Sequence, residues 1–228
     1  KKSDITGAVA SVDFEDLESQ PINNVSDALK GRIAGVSVVS NSGAPGGSIS
    51  IRVRGIGTVN NADPLYVVDG IPTTDINFLN PNDIASIEVL KDASSSAIYG
   101  SRGENGVVLV STKRGKSNTA PRVDVDAYYG VKEVINNWET TSGSEWYSIQ
   151  EEMNKTRTSP LDLSQVDKNV NTDWFDEITR SATVQDYNVS VSGGSDKLTY
   201  ILGAGYYDEE GTVKGSDYER ITTRLKTD

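Results

Sequence analysis

Four long runs of strict two-residue alternation after Lys116 limit what this chain can become more than any other feature. In the first, Val123, Val125, Ala127, Tyr129 and Val131 share one side, and Asp124, Asp126, Tyr128 and Gly130 the other. The second opposes Tyr187, Val189 and Val191 to Asp186, Asn188, Ser190 and Ser192. The third opposes Leu198, Tyr200, Leu202, Ala204 and Tyr206 to Thr199, Ile201, Gly203, Gly205 and Tyr207. The fourth sets Ile221, Thr223 and Leu225 against Arg220, Thr222, Arg224 and Lys226. Successive side chains of a strand point to opposite faces, so each run has one apolar face and one polar or glycine-bearing face. A water-soluble antiparallel sheet with one wet face satisfies that pattern, and so do lipid-facing barrel strands.

Connection lengths distinguish the two. The second and third runs are joined by the tight turn Gly193-Gly194-Ser195-Asp196, whereas Asn136 to Arg180 and Asp208 to Asp217 form longer connections. Short turns at one end and long loops at the other are the outer-membrane arrangement, which puts both long connections outside the cell. The longer one contains a capping box, Ser142 with Glu145, ahead of Trp146, Ile149 and Met153 at helical spacing. Asp173 is placed to cap a second short helix bearing Trp174, Phe175 and Ile178. These aromatics either fold the loop onto itself or present a docking surface, since loops of this length are usually functional.

Composition narrows the chemistry. No apolar run approaches the length of a membrane-spanning helix, so either a soluble protein or one that meets lipid only through strands is expected, and the lack of a signal peptide suggests a mature or truncated product. A net charge of −11 disfavours nucleic acid as a partner, because phosphate contacts need clustered Lys and Arg. The absence of Cys and His removes disulfides, the usual zinc sites and the commonest catalytic triads. Gly55-Ile56-Gly57 lacks the third glycine of a dinucleotide loop, and there is no G-x-S-x-G. Asp124 with Asp126, and Asp208-Glu209-Glu210 in a turn, lack the spacing of a calcium loop. No enzyme activity and no cofactor are expected.

The first half has a different texture. Ile5 to Val12 reads as a strand and Phe14 to Leu17 as a helical turn. Asn24 or Ser26 is placed to cap a helix that buries Ala28, Leu29 and Ile33 and ends at Gly35. Val36 to Val39 and Ile49 to Val53 flank a loop whose Gly43, Pro45, Gly46 and Gly47 forbid regular structure. Leu65 to Val68 stops at Asp69-Gly70, a tight-turn dipeptide. In Ile84 to Lys91, Ile84, Ser86, Glu88 and Leu90 fall on one face and Ala85, Ile87, Val89 and Lys91 on the other. Asp92 is placed to cap a helix from Ala93 to Tyr99 that Gly100 stops, and Val107 to Thr112 follows as a strand; strand, helix and strand predict a right-handed crossover.

The words LYVVDGIP, NPNDIASIEVLKDAS and AIYGSRGENGVVLVSTKRG, with ITGAV, VSDALKGRIAGV and NSGAPGGSISIRVRGIG before them, occur in an order that closely resembles the plug domain of TonB-dependent outer-membrane transporters. The SusC/RagA branch, which imports glycans or peptides, is the nearest in texture. The resemblance implies an α+β plug over residues 1–116 and, over residues 117–228, the first four antiparallel strands of a transmembrane β-barrel. The family barrel has about twenty-two strands, and closed bacterial barrels need at least about eight, so the chain is expected to be part of a longer protein.

The same resemblance implies particular roles. Arg54, from the (I/V)RG motif, and Lys91, before the short helix, correspond to plug residues that latch onto barrel-wall glutamates. Three apex loops, Asn41 to Gly47, Thr58 to Asp63 and Thr73 to Asn80, correspond to those that touch substrate, which singles out Ser42, Asn60, Asn61, Asp75, Asn77 and Phe78. Amides and carboxylates suit sugar hydroxyls, and Phe78 offers a face to a pyranose or an apolar side chain. Implied partners are outer-membrane lipid, a SusD-like surface lipoprotein acting as a lid, an oligosaccharide or peptide substrate, and TonB, which engages an N-terminal box. A soluble periplasmic or surface ligand-binding module is the alternative from a different class.

Overall fold

A computed structural model describes residues 9–13, 24–55, 62–92, 96–137 and 140–228. The first half builds a five-stranded mixed sheet in the order β1 (Val9–Asp13), β6 (Ile84–Leu90), β7 (Val107–Thr112), β4 (Leu65–Val68), β5 (Ile71–Thr73). Beside it lies a hairpin of β2 (Val36–Ser40) and β3 (Ile49–Val53). Residues 5–8 of the expected first strand, the expected turn at Phe14 to Leu17, and residues 93–95 of the expected helix lie outside the described residues.

Burial falls where the apolar residues require it. Leu29, Ile51, Ile84, Ile87, Val89 and Val108 pack on one side of the sheet, and Val67, Leu90 and Val107 on the other. Each such side chain contributes about 1.5–3 kcal/mol relative to exposure, enough to override weak local propensity. The segment expected as a helix is a case in point. Ala28, Leu29 and Ile33 are buried as expected, but the helix is a single 3-10 turn, Asp27–Leu29, because the chain turns left-handed at Gly31 (φ 72°). Ser26 takes the cap position without a side-chain cap bond, and the Asn24 side chain accepts from the Ser26 amide at 2.9 Å just before the turn.

Two further expectations are corrected. A bulge between Ile84 and Ser86 turns Ile84 onto the Ile87/Val89 side, so it joins that cluster and parts from Leu90. The predicted crossover is absent in that form, because β6 and β7 are antiparallel and the parallel neighbour of β7 is β4. Between them the 3-10 segment Ala97–Gly103 is kinked at Gly100 (φ 61°, ψ −148°) where the expected helix was to stop. The Asp-Gly turn is as expected: Asp69 (φ 48°) and Gly70 (φ 88°) both take positive φ, and the chain returns as β5.

The second half is an open four-stranded antiparallel sheet, β8 (Thr119–Lys132), β9 (Ala182–Gly194), β10 (Thr199–Glu210) and β11 (Asp217–Thr227), side by side in chain order. Its registers align the apolar residues into rows. Val123, Val191, Leu202 and Leu225 form one, Val125, Val189, Ala204 and Thr223 the next, and Ala127, Tyr187, Tyr206 and Ile221 a third. This face is bare: Val125 is 71 %, Ile221 71 % and Leu225 69 % exposed. Strands of 11 residues and more, at about 3.3 Å per residue and tilted about 45°, rise about 25 Å, the height of a barrel's apolar band.

The turns differ slightly from expectation. Gly193 and Gly194 remain in the ladder, so the tight turn falls at Ser195–Leu198, closed by the Ser195 amide donating to the Leu198 carbonyl at 2.8 Å. Asp208, Glu209 and Glu210 are not in a turn but continue β10 opposite Glu219, Tyr218 and Asp217. Arg180, which pairs with Asp217 and stands 3.9 Å from Glu210, bridges that like-charged pair, and Lys132 pairs with Glu209. The long connection carries α1 (Gly143–Asn154), with the Ser142/Glu145 capping box formed, and α2 (Trp174–Ile178), capped by Asp173. Trp174 is 72 % exposed, and Lys214 donates to the Glu177 carbonyl at 2.7 Å, tying α2 to the neighbouring loop.

Candidate functional site

The inner face of the four-stranded sheet is polar, and it meets the first half along a continuous seam. Gly203 and Gly205 make the approach possible. A Cβ at 205 would stand 2.5 Å from both Asn80 Nδ2 and Asn188 Oδ1, which hydrogen-bond there while buried. On β11, Arg224 donates from its two terminal nitrogens to the carbonyls of Asp83 and Lys113, each at 2.7 Å. Lys226 stands 2.9 Å from the Asp69 carboxylate and donates to the Thr112 hydroxyl at 3.3 Å, and Arg220 donates to the Asn77 carbonyl at 3.2 Å.

The two carboxylates of the seam behave differently. Burial raises Asp83 above the ordinary aspartate range, and the Arg224 and Lys113 cations do not offset it, so the hold of Arg224 rests on the two carbonyls more than on its 3.5 Å ion pair with Asp83. Burial also acts to raise Asp69, but the Thr112 hydroxyl and amide together with Lys226 outweigh it and hold the carboxyl low.

Above the seam is a cleft of about 200 Å³ between the glycine loop after β2 and the upper ends of β10 and β11. Ser42 and Asn77 line it, as do the wall residues Tyr207, Glu209, Tyr218 and Arg220. Arg220 stacks over Tyr207 with 5.1 Å from its guanidinium carbon to the ring centroid, and Tyr218 meets Tyr207 edge-on with centroids 6.1 Å apart. The Tyr207 hydroxyl donates to Glu209 at 2.7 Å. Asp27 lines the same cleft; burial raises its carboxyl, Lys30 opposes, and the Glu209 carboxylate adds to the rise. Donors, acceptors, an aromatic pair and both signs of charge converge on one opening, which suits a polar organic ligand.

The structure brings together only part of the set expected from the sequence. Asn77 is half-buried, its Oδ1 accepting from Asn24 at 3.0 Å. Asp75 is turned to a structural task, accepting from the Asn77 amide at 2.7 Å. It also lies near Tyr66, whose phenol is pushed up to about 12 by burial and by the Asp63 and Asp75 carboxylates. Phe78 is 55 % exposed and is not in the cleft wall. Asn60 and Asn61 lie outside the described residues. Arg54, itself at φ 61°, pairs with Asp92, and Lys91 donates to the Ala34 carbonyl at 3.0 Å, and both of these contacts lie within the plug. The wall residues Tyr207 and Arg220 went unnoticed in the sequence as site residues. An aromatic side chain on the glycine-bearing face of its run was the available signal.

A mixed α/β body seated by hydrogen bonds on the polar face of a sheet whose other face is apolar to membrane height is the plug and adjoining wall of an outer-membrane β-barrel receptor. The chain belongs to the TonB-dependent outer-membrane receptors of the SusC/RagA type. Residues 1–107 match the family described as TonB-dependent Receptor Plug Domain. The chain is 39 % identical over 235 residues to the TonB-dependent receptor SusC of Bacteroides thetaiotaomicron, covering 99 % of this chain and 23 % of that protein. It is 40 % identical over 235 residues to a TonB-dependent receptor of Formosa agariphila, covering 100 % of this chain and 24 % of the relative. Among solved structures, the RagAB peptide importer in its closed-closed state superposes with a TM-score of 0.86 at 30 % identity, over 98 % of this chain and 29 % of that one. The siderophore receptor PirA of Acinetobacter baumannii, at 23 % identity and a TM-score of 0.55 over 90 % of this chain and 25 % of that one, shares the fold. The chain thus spans about a quarter of the length of the curated relatives it matches.

Proposed function

We propose that residues 1–116 are the stopper, and residues 117–228 the opening wall strands, of a TonB-dependent importer of oligosaccharides or peptides. The observation that carries this is the two-sidedness of the wall sheet, with rows of mostly apolar side chains outside and a polar face holding the stopper inside. A free-standing soluble module would leave those rows in water, which disfavours it. Ser42 and Asn77, with Asn60, Asn61, Asp75 and Phe78 on the neighbouring apex loops, are the ligand-contacting residues in this reading. Arg54 and Lys91 latch the plug to wall strands beyond the four seen here. TonB supplies the energy through a segment N-terminal to the plug, and a SusD-like lipoprotein covers the mouth, approached by α1 and α2. Nothing in this scheme calls for catalysis.

The test is uptake. A strain lacking the gene is offered matched oligosaccharide and oligopeptide pools. A deficit in one pool, restored by the gene, supports import and identifies the cargo class. No deficit in either removes the import reading.

A further inference from the structure

We propose that the cations of β11, Arg220, Arg224 and Lys226, form a second plug latch, opposite in polarity to the one expected from Arg54 and Lys91. Here the wall supplies the cations and the plug supplies carbonyls and a carboxylate. The proposal rests on the reading of the first half as a stopper in a pore.

The three side chains lie on one face of one strand and reach the plug at the loop after β5 and at the region where the Asp69-Gly70 turn, the start of β6 and the end of β7 meet. Arg220 holds the loop after β5 through the Asn77 carbonyl. Arg224 holds the start of β6 and the exit of β7 together, since its two bonds go to Asp83 and Lys113. Lys226 holds the Asp69-Gly70 turn and the end of β7. From 220 to 226 the strand runs about 20 Å, so a straight wall element fixes the relative register of segments far apart in the plug's own chain. A guanidinium forks to two acceptors at once, and a lysine at 224 presents one point charge on a flexible stem. The pair is also sheltered: Arg224 and Asp83 side chains are 17 % and 18 % exposed, so water competes weakly for these bonds. Arg54 and Lys91, in contrast, reach Asp92 and Ala34 inside the plug. Among the described residues, the β11 row carries three of the charged contacts between plug and wall, and an ion pair of Arg114 with Asp228 at 3.7 Å lies beyond its end.

The experiment uses the full-length transporter in planar bilayers, without substrate or TonB, and reads conductance. Arg224→Met with Lys226→Met is expected to raise the conducting fraction at least about tenfold, and Arg224→Lys to fall between it and the wild type. Asp69→Asn with Lys226→Met is expected to leak less than the combined effects of the two single variants, because both break the shared Asp69–Lys226 ion pair. Assembly is followed separately by heat-modifiable migration on gels. Wild-type conductance in the correctly assembled double variant overturns the proposal, as does additivity of the Asp69 and Lys226 changes. If the double variant does not assemble, Arg224→Lys and Asp69→Asn are judged by the same rule. Loss of assembly in every variant also overturns it, since a latch acts on a plug already seated. A wild type that conducts constitutively refutes the stopper reading itself and is distinguishable from failure of the latch alone.

Discussion

Gly46 tests whether the apex loop and the wall form one cleft. The residue has φ +64°, and a Cβ built on it would lie 2.2 Å from the Tyr218 ring, deep inside contact distance. Gly46→Ala therefore carries two costs. A left-handed conformation costs an L-residue about 1–2 kcal/mol. Forcing a methyl against a ring held edge-on by Tyr207 adds about 1–3 kcal/mol if the ring cannot retreat. The sum, about 2–5 kcal/mol, favours detachment of the loop by more than an order of magnitude. Hydrogen exchange of the amides around Asn41–Gly47 in the full-length transporter reads this directly; the Asn41 amide is held by the Ser48 carbonyl at 3.2 Å and the Gly47 amide by Ala44 at 3.0 Å. Adding Tyr218→Ala removes the steric part and leaves the conformational part, so the two changes should couple by about 1–3 kcal/mol. Strict additivity would mean that the loop and β11 do not touch, and the cleft would have no wall on that side.

Three further outcomes are expected. Gly205→Ala should lower the thermal stability of the assembled transporter by about 1–3 kcal/mol, because its Cβ displaces the buried Asn80–Asn188 pair; Gly203→Ala, whose nearest neighbour is Asp83 Oδ1 at 3.3 Å, should cost clearly less, and equal effects would contradict the seam. Val189→Arg, in the middle apolar row, should cost about 2–4 kcal/mol in lipid-based unfolding, and a cost near zero would show that this face does not meet hydrocarbon. Asp69 has a depressed folded pKa, so its stabilising contribution is fully present above the unfolded value of about 3.9 and is lost as pH falls through the lower folded value. Asp69→Asn should therefore differ from wild type by a constant amount above about pH 4 and converge with it in stronger acid; a difference that grows with acidification would reverse the assigned sign.

The capping box at Ser142, the Asp69-Gly70 turn and the two-faced alternation of all four wall strands were legible because each is local: the residues that specify the geometry are within a few positions of one another. Ser42 and Asn77 were singled out through resemblance, and both line one cleft. Other features were not legible. The Ile84 bulge depends on which partner strand β6 acquires, and the single turn at Asp27–Leu29 depends on where the chain must leave to bury Ile33. Asp208 to Glu210 look like a turn until Arg180 and Lys132, far away in sequence, meet Glu210 and Glu209 in a strand.

By itself the sequence determined the class: four strands with one oily face, preceded by the words of a plug, admit few other architectures. Only the tertiary structure decided how the two halves hold each other, because Arg224 binds main-chain carbonyls that every residue possesses. No residue type at 83 or 113 announces such a bond, and only the register of β11 against the plug creates it.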